Sequence, residues 1–160
     1  MNIRVAILTV SDSAVAGTRA DASGPALKAH CVTLGWEVAE TLVVMDEVAA
    51  ISFAISKWAD DGTADVILTT GGTGIAPRDV TPEATRSVID REIPGIGELL
   101  RVKGMEQTKF SVLSRGLAGS RKQALIVNLP GSPLGAVFSL KAIEHLVAHM
   151  VNLLHGNTAH

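Results

Sequence analysis

Residues 3–10, Ile-Arg-Val-Ala-Ile-Leu-Thr-Val, form a near-continuous apolar run rich in β-branched side chains. A strand solvated on one face would alternate apolar with polar residues. A run like this one suits a strand covered on both faces, as in a parallel sheet sandwiched by helices. The same kind of run returns in Asp65-Val66-Ile67-Leu68-Thr69-Thr70 and in residues 124–129, and a further strand is read over 36–44. Between them lie helical patterns. Ser23-Gly24-Pro25 opens one, with Leu27, Cys31 and Leu34 on one stripe and Gly35 as its stop. Asp46 stands at the cap position of the next, whose stripe is Val48, Ile51, Ile55 and Trp58. Thr81-Pro82-Glu83 starts another, expected to reach about Arg91, and Pro94-Gly95 restarts a helix through Leu99-Leu100. Residues 111–129 read as strands with a turn near Gly119-Ser120. Pro130-Gly131-Ser132-Pro133 launches a long last helix with Leu134, Val137, Phe138, Leu146, Met150, Val151 and Leu154 on its buried side.

Alternation of this kind predicts an α/β fold, a three-layer α/β/α sandwich on a mostly parallel sheet with one antiparallel member. At 160 residues the chain suits one domain, 1–160, and its 47% apolar content is enough for a core. Net charge is −2 and Tyr is absent, which argues against nucleic acid, since binding it takes clustered cations or stacking aromatics. The single cysteine, Cys31, excludes an internal disulfide and suits the cytoplasm. The first residues hold neither a membrane span nor a signal-peptide pattern, so no membrane association is expected.

In an open α/β sheet, ligands bind beyond the carboxyl ends of the strands. The four main strands end at Ser11-Asp12, at Met45-Asp46, at Gly71-Gly72-Thr73-Gly74 with Asp79 close behind, and at Pro130-Gly131. If they are parallel, Asp12, Asp46, Asp79 and two glycine-bearing loops share one rim. A Gly-Gly-Thr-Gly loop offers backbone N–H groups to an anion with little side chain in the way. Two carboxylates can hold Mg²⁺ against phosphate oxygens. The residues alone leave a plainer reading open for each: a tight turn for the loop, a helix cap for Asp46, an Asx turn for Asp79, a turn for Asp12. No Gly-x-x-x-x-Gly-Lys-Ser/Thr or strand-borne Gly-x-Gly-x-x-Gly occurs, which disfavours P-loop and dinucleotide chemistry. His145 and His149 are four apart but lack a His-Glu-x-x-His setting, so they read as a helix face. Ser114 has no local His or Asp, Cys31 reads as core, Arg121-Lys122 as a hairpin tip, and the segment 96–102 as core or interface.

The ordered set Val10-Ser11-Asp12-Ser13, Asp21-x-Ser23-Gly24-Pro25, Asp46-Glu47, Thr69-Thr70-Gly71-Gly72-Thr73-Gly74, Pro77-Arg78-Asp79-Val80-Thr81-Pro82-Glu83-Ala84-Thr85, Arg91-Glu92-Ile93-Pro94-Gly95, Leu113-Ser114-Arg115 and Asn128-Leu129-Pro130-Gly131-Ser132-Pro133 resembles the Mog/MoaB family of molybdenum cofactor biosynthesis, to which the gephyrin G domain is similar. The resemblance spans nearly the whole chain. It implies a homotrimer and molybdopterin adenylyltransferase activity, in which ATP and molybdopterin give adenylylated molybdopterin and pyrophosphate with Mg²⁺. By position, Asp46 and Asp79 match the family's acidic, metal-holding pair and Ser114 a serine that handles the pterin. Gly71, Gly72, Thr73, Gly74, Pro130 and Gly131 match the nucleotide and pterin pocket, with Asp12 on the same rim. A downstream molybdate-inserting protein is an implied partner. The family also includes MoaB-type relatives that bind molybdopterin without established catalysis, and gephyrin-like trimeric scaffolds. MoaB-type sequences often lack the Arg-Asp-Val-Thr-Pro form kept here, which points to the active Mog type.

Overall fold

A computed structural model describes residues 1–159. Six strands form one sheet in the order β2-β1-β3-β6-β5-β4. β1 (Arg4–Val10), β2 (Glu37–Val44), β3 (Val66–Thr70) and β6 (Ala124–Leu129) are mutually parallel. β5 (Ala118–Arg121) runs antiparallel to β6, and the two-residue β4 (Arg91–Glu92) runs antiparallel to β5. β5 is thus the one member that opposes the others, as the sequence leads one to expect.

Side chains alternate across this sheet, and both faces are dry. Along β1, Val5 and Ile7 join one apolar cluster and Ala6, Leu8 and Val10 the other. β3 and β6 divide in the same way, Leu68 and Val127 against Ile67 and Ile126. The first cluster is closed by α2 (Ser23–Thr33), α5 (Pro94–Gly104) and α6 (Pro133–Leu154). The second is closed by α3 (Val48–Asp60) and α4 (Thr81–Arg86). The layers are therefore helix, sheet, helix. A short helix α1 (Asp12–Val15) follows β1, and a 3-10 turn (Lys109–Leu113) precedes β5.

Several sequence expectations are corrected. The helix at Thr81 stops at Arg86, because the chain beyond it pairs with β5: Asp90 N–H donates to Ser120 O and Ile93 N–H to Ala118 O. Residues 111–113 lie in the 3-10 turn, and the hairpin turns at Lys122-Gln123, with Lys122 at φ +49°. Gly119 does not turn the chain. A Cβ there would lie 2.6 Å from Arg91 O, so glycine is needed for the close approach of β4. The buried stripe of α6 is Ala136, Leu140, Ile143, Val147 and Val151, with Val137, Leu146, Met150 and Leu154 packed beside it as expected, whereas Leu134 is 79% exposed. By length and composition α6 could cross a membrane, but this stripe is packed on the sheet. Cys31 is core, while His145 and His149 lie on the exposed side of α6.

Candidate functional site

β1 and β3 are neighbours, yet the chain leaves β1 toward β2 on one side and returns to β3 on the other. A crevice opens where the connections diverge, at the carboxyl ends of these two strands. The residues found there are the ones the sequence singles out.

On the β1/β2 side, Ser11 N–H donates to Val44 O at 2.9 Å and joins the two strand ends. Two aspartates then clasp each other's backbone. Asp12 N–H donates to Asp46 Oδ2 at 2.8 Å, and Asp46 N–H donates to Asp12 Oδ1 at 2.9 Å. Asp46 therefore does not cap α3; Glu47 occupies the cap position with no side-chain bond. Arg78 closes on Asp12 in a fork, Nε to Oδ2 at 2.9 Å and Nη2 to Oδ1 at 3.0 Å.

On the β3/β6 side, Thr70 Oγ1 donates to Pro130 O at 2.7 Å and Gly71 N–H to Leu129 O at 3.2 Å. Gly71 has φ +100°, and a Cβ on it would sit 2.3 Å from Val10 O. A Cβ on Gly131 would come within 3.2 Å of Gly71 Cα, so the two glycine loops touch. The 71–74 loop then lies against two of the acids. A Cβ on Gly72 would be 3.2 Å from Asp46 Oδ1, and one on Gly74 would be 2.8 Å from Asp79 Oδ2. Asp79 forms no Asx turn with the residues after it. Its Oδ2 accepts from Ala76 N–H at 2.9 Å, and its own N–H donates to Ala76 O at 2.9 Å.

Four successive carbonyls of this loop are engaged by protein donors. Gly71 O accepts from Thr81 Oγ1 and Gly72 O from Thr81 N–H; Thr73 O and Gly74 O accept from the backbone N–H and Nε of Arg115. Thr81 thus serves the loop rather than capping α4, whose cap position is Val80.

The charges respond to this crowding. Burial holds the Asp46 carboxyl above its ordinary value, and the neighbouring Asp12 and Asp79 charges push the same way against the Asp12 N–H and Arg78. The fork from Arg78, helped by the Asp46 N–H, holds Asp12 below its ordinary value. Among the described residues no three His, Cys, Asp or Glu side chains converge into a ready-made metal site. Asp46 and Asp79 are nonetheless hard oxygen donors beside one glycine loop. That set fits an ion such as Mg²⁺ that keeps water and takes its remaining ligands from phosphate.

Two cavities flank the loop. One, about 330 Å³, is bounded by Thr73, Gly74, Leu100, Phe110, Ser114 and Pro130. The other, about 400 Å³ and more polar, is bounded by Ser11, Ser13, Asp21, Thr70, Gly71 and Gly131. They share Ser132. Asp12, Asp46 and Asp79 line neither; Asp46 and Asp79 border the loop that separates the two, and Asp12 is tied to Asp46. Ser114 closes the 3-10 turn, and its Oγ accepts from Gly116 N–H at 3.3 Å.

The structure thus gathers all ten candidate positions at one end of the sheet. Sequence reasoning assigned nothing to Arg78, Arg115 or Asp21. Asp21 accepts from both Gly24 N–H and Thr9 Oγ1 and so ties the start of α2 to β1. Arg78 and Arg115 stand inside quoted motifs, but their partners lie 66 and 32 to 41 residues away, beyond the reach of any local pattern.

The chain is similar to several known proteins. The Drosophila melanogaster molybdenum cofactor synthesis protein cinnamon is 40% identical over 96% of this chain, which spans only 26% of that protein's length. Escherichia coli K12 molybdopterin adenylyltransferase is 38% identical over 96% of this chain and 79% of its own. The crystal structure of the molybdopterin biosynthesis enzyme MoaB from Thermus thermophilus superimposes with a TM-score of 0.90, at 47% identity over 96% of this chain and 97% of that one. The family model described as the probable molybdopterin binding domain matches residues 6–149, from β1 into the last helix, and the chain belongs to that family.

Proposed function

We propose that the protein is a molybdopterin adenylyltransferase acting in molybdenum cofactor biosynthesis. One observation carries the reading: the 71–74 loop has all four carbonyls tied back by Thr81 and Arg115 while Asp46 and Asp79 lie against it. A loop whose acceptors are already taken meets an incoming phosphate with its N–H groups, here those of Gly72, Thr73 and Gly74, since Gly71 N–H is held by Leu129 O. The two carboxylates beside it then suit a phosphate that arrives with its cation. The name of the E. coli relative supports the same chemistry.

In the proposed reaction a terminal phosphate oxygen of molybdopterin attacks the α-phosphorus of ATP. The bond from that phosphorus to the α–β bridging oxygen breaks, and pyrophosphate leaves with the electron pair. Gly72, Thr73 and Gly74 orient the phosphates, and the cavity beside Ser114, with its apolar wall of Leu100 and Phe110, takes the pterin. The polar cavity beside Gly71 and Gly131 takes phosphate. A bound Mg²⁺ would be held by Asp46 and Asp79 and would neutralise charge on the α-phosphate and the departing pyrophosphate. The exposed Val102, Met105, Phe110 and Val112 supply a face for the homotrimer, and sedimentation would read that assembly. A cytoplasmic location and hand-over to a molybdate-inserting protein complete the reading.

A second reading follows the family description, which names molybdopterin binding and no reaction. On it, the same rim holds molybdopterin without nucleotide chemistry. Incubation with ATP, Mg²⁺ and molybdopterin, followed by a pyrophosphate assay, separates the two. Release of pyrophosphate is expected, and Asp79→Asn should lower it at least about 100-fold with the fold retained. Molybdopterin binding without pyrophosphate would establish the second reading, and undiminished transfer by Asp79→Asn would remove that residue from the mechanism.

A further inference from the structure

Residues 75–78 leave the body of the protein as an exposed excursion, and the aspartate at its far end is one of the two proposed metal-holding acids. Something must fix both ends of this excursion. Its own bonds, between Ala76 and Asp79, shape the loop, and Arg78 ties its far side to Asp12, but neither set holds the two ends together. The anchor comes from a distant segment. Arg115 Nε donates to Gly74 O at 2.7 Å, where the excursion starts, and Arg115 Nη2 donates to Asp79 O at 2.7 Å, where it returns. Nη1 is held by the Glu83 carboxylate in the first turn of α4, and the backbone N–H of Arg115 donates to Thr73 O at 2.8 Å.

We propose that Arg115 is a positioning residue for this site, spanning the base of the 75–78 excursion so that Asp79 is held against the 71–74 loop in register with the Ser114 side of the neighbouring cavity. The role rests on the adenylyl-transfer reading. The geometry is specific to arginine: a planar fork with donors on three nitrogens reaches two carbonyls and a carboxylate at once. A lysine keeps the charge but has one ammonium on a flexible stem. It cannot bridge both ends of the loop and Glu83 together. Arg115 also directly follows Ser114, whose side chain bounds the cavity assigned to the pterin. One two-residue step therefore fixes a wall of that cavity and the acid across the loop.

The test compares wild type with Arg115→Gln and Arg115→Lys by amide hydrogen exchange and steady-state kinetics. In both variants the Ala76 and Asp79 amides should exchange at least about tenfold faster while those of β1, β3 and β6 stay as in wild type. kcat should fall by about 10- to 100-fold with KM for ATP little changed, because misplacement of an acid affects the reacting geometry more than ground-state binding. Lysine should restore little. Unchanged loop exchange would overturn the proposal. So would equal acceleration across the sheet, which would make Arg115 a general stability residue, or wild-type kcat in Arg115→Lys, which would leave charge alone as its contribution. If Arg115→Gln does not fold, Arg115→Lys decides by the same measurements. Absence of pyrophosphate release from wild type would end the adenylyl-transfer reading, while the exchange data would still judge the anchor.

Discussion

Asp46 is a carboxylate that the fold resists ionising. Burial raises its pKa above the ordinary 3.8, and two further acids sit nearby. A proton thus binds more tightly to the folded chain than to the unfolded one. Folding gains stability from this group as pH falls through the raised value toward 3.8, and loses it as pH rises. Asp46→Asn removes the charge and keeps an acceptor for the Asp12 N–H. It should be more stable than wild type at neutral pH, with the difference shrinking toward zero in acid, as denaturant titrations across pH would show. Equal stability at neutral pH would mean that the charge costs the fold nothing. Asp12 behaves oppositely: its pKa is lowered by Arg78, so its contribution is present above 3.8 and fades as pH falls through the lowered value. Gly71 is a second residue whose identity the backbone dictates. Alanine there meets Val10 O at 2.3 Å with φ at +100°, and should cost roughly 2–4 kcal/mol in denaturant unfolding. Gly95, in the first turn of α5 with open space around it, should accept alanine with a gain of about 0.4–1 kcal/mol. In the sequence Asp12, Asp46 and the glycines were legible as strand-end residues. Their mutual bonds were not, since a clasp across 34 residues has no local signature.

At the scale of elements, strands with both faces covered were the most legible, because a long apolar run can be buried in few other ways. The last helix was legible as a helix, and Val137, Leu146, Met150, Val151 and Leu154 do face the core as read, but Leu134 does not. Proline and serine at its start are clear, with Ser132 Oγ accepting from Gly135 N–H at 3.1 Å. Apolar residues, however, surround much of α6, so composition alone cannot say which side meets the sheet. The structure buries Leu140 fully and leaves Leu134 79% exposed. Leu140→Ala should therefore cost about 2–5 kcal/mol and Leu134→Ala less than about 0.5, measured as paired unfolding midpoints. Equal losses would put Leu134 in the core, where the sequence suggested it. The 111–121 segment failed for a different reason. Gly119-Ser120 has turn composition, but tertiary pairing with Arg91 and the space Gly119 vacates made it a strand.

Across the whole molecule, what cannot be read from local patterns is strand order. Placing β1 between β2 and β3 brings separate chain ends to one crevice, and the order 2-1-3-6 makes that crevice a switch point. The core that enforces this order can be probed through Cys31. It lies on α2 with no exposed surface, in the cluster between sheet and α6, and burial pushes its thiol up to about 12. A second contact pins the same helix, His30 Nε2 against Glu144 Oε2 of α6 at 2.6 Å. Thiolate is the reactive form, so a disulfide reagent at neutral pH meets neither access nor nucleophile in the folded protein. Labelling should then wait for global unfolding and accelerate with denaturant along the full unfolding slope. Fast labelling with weak denaturant dependence would instead mean that α2 peels off alone. In that case the polar cavity, bounded by the loop that leads into α2, would open with it.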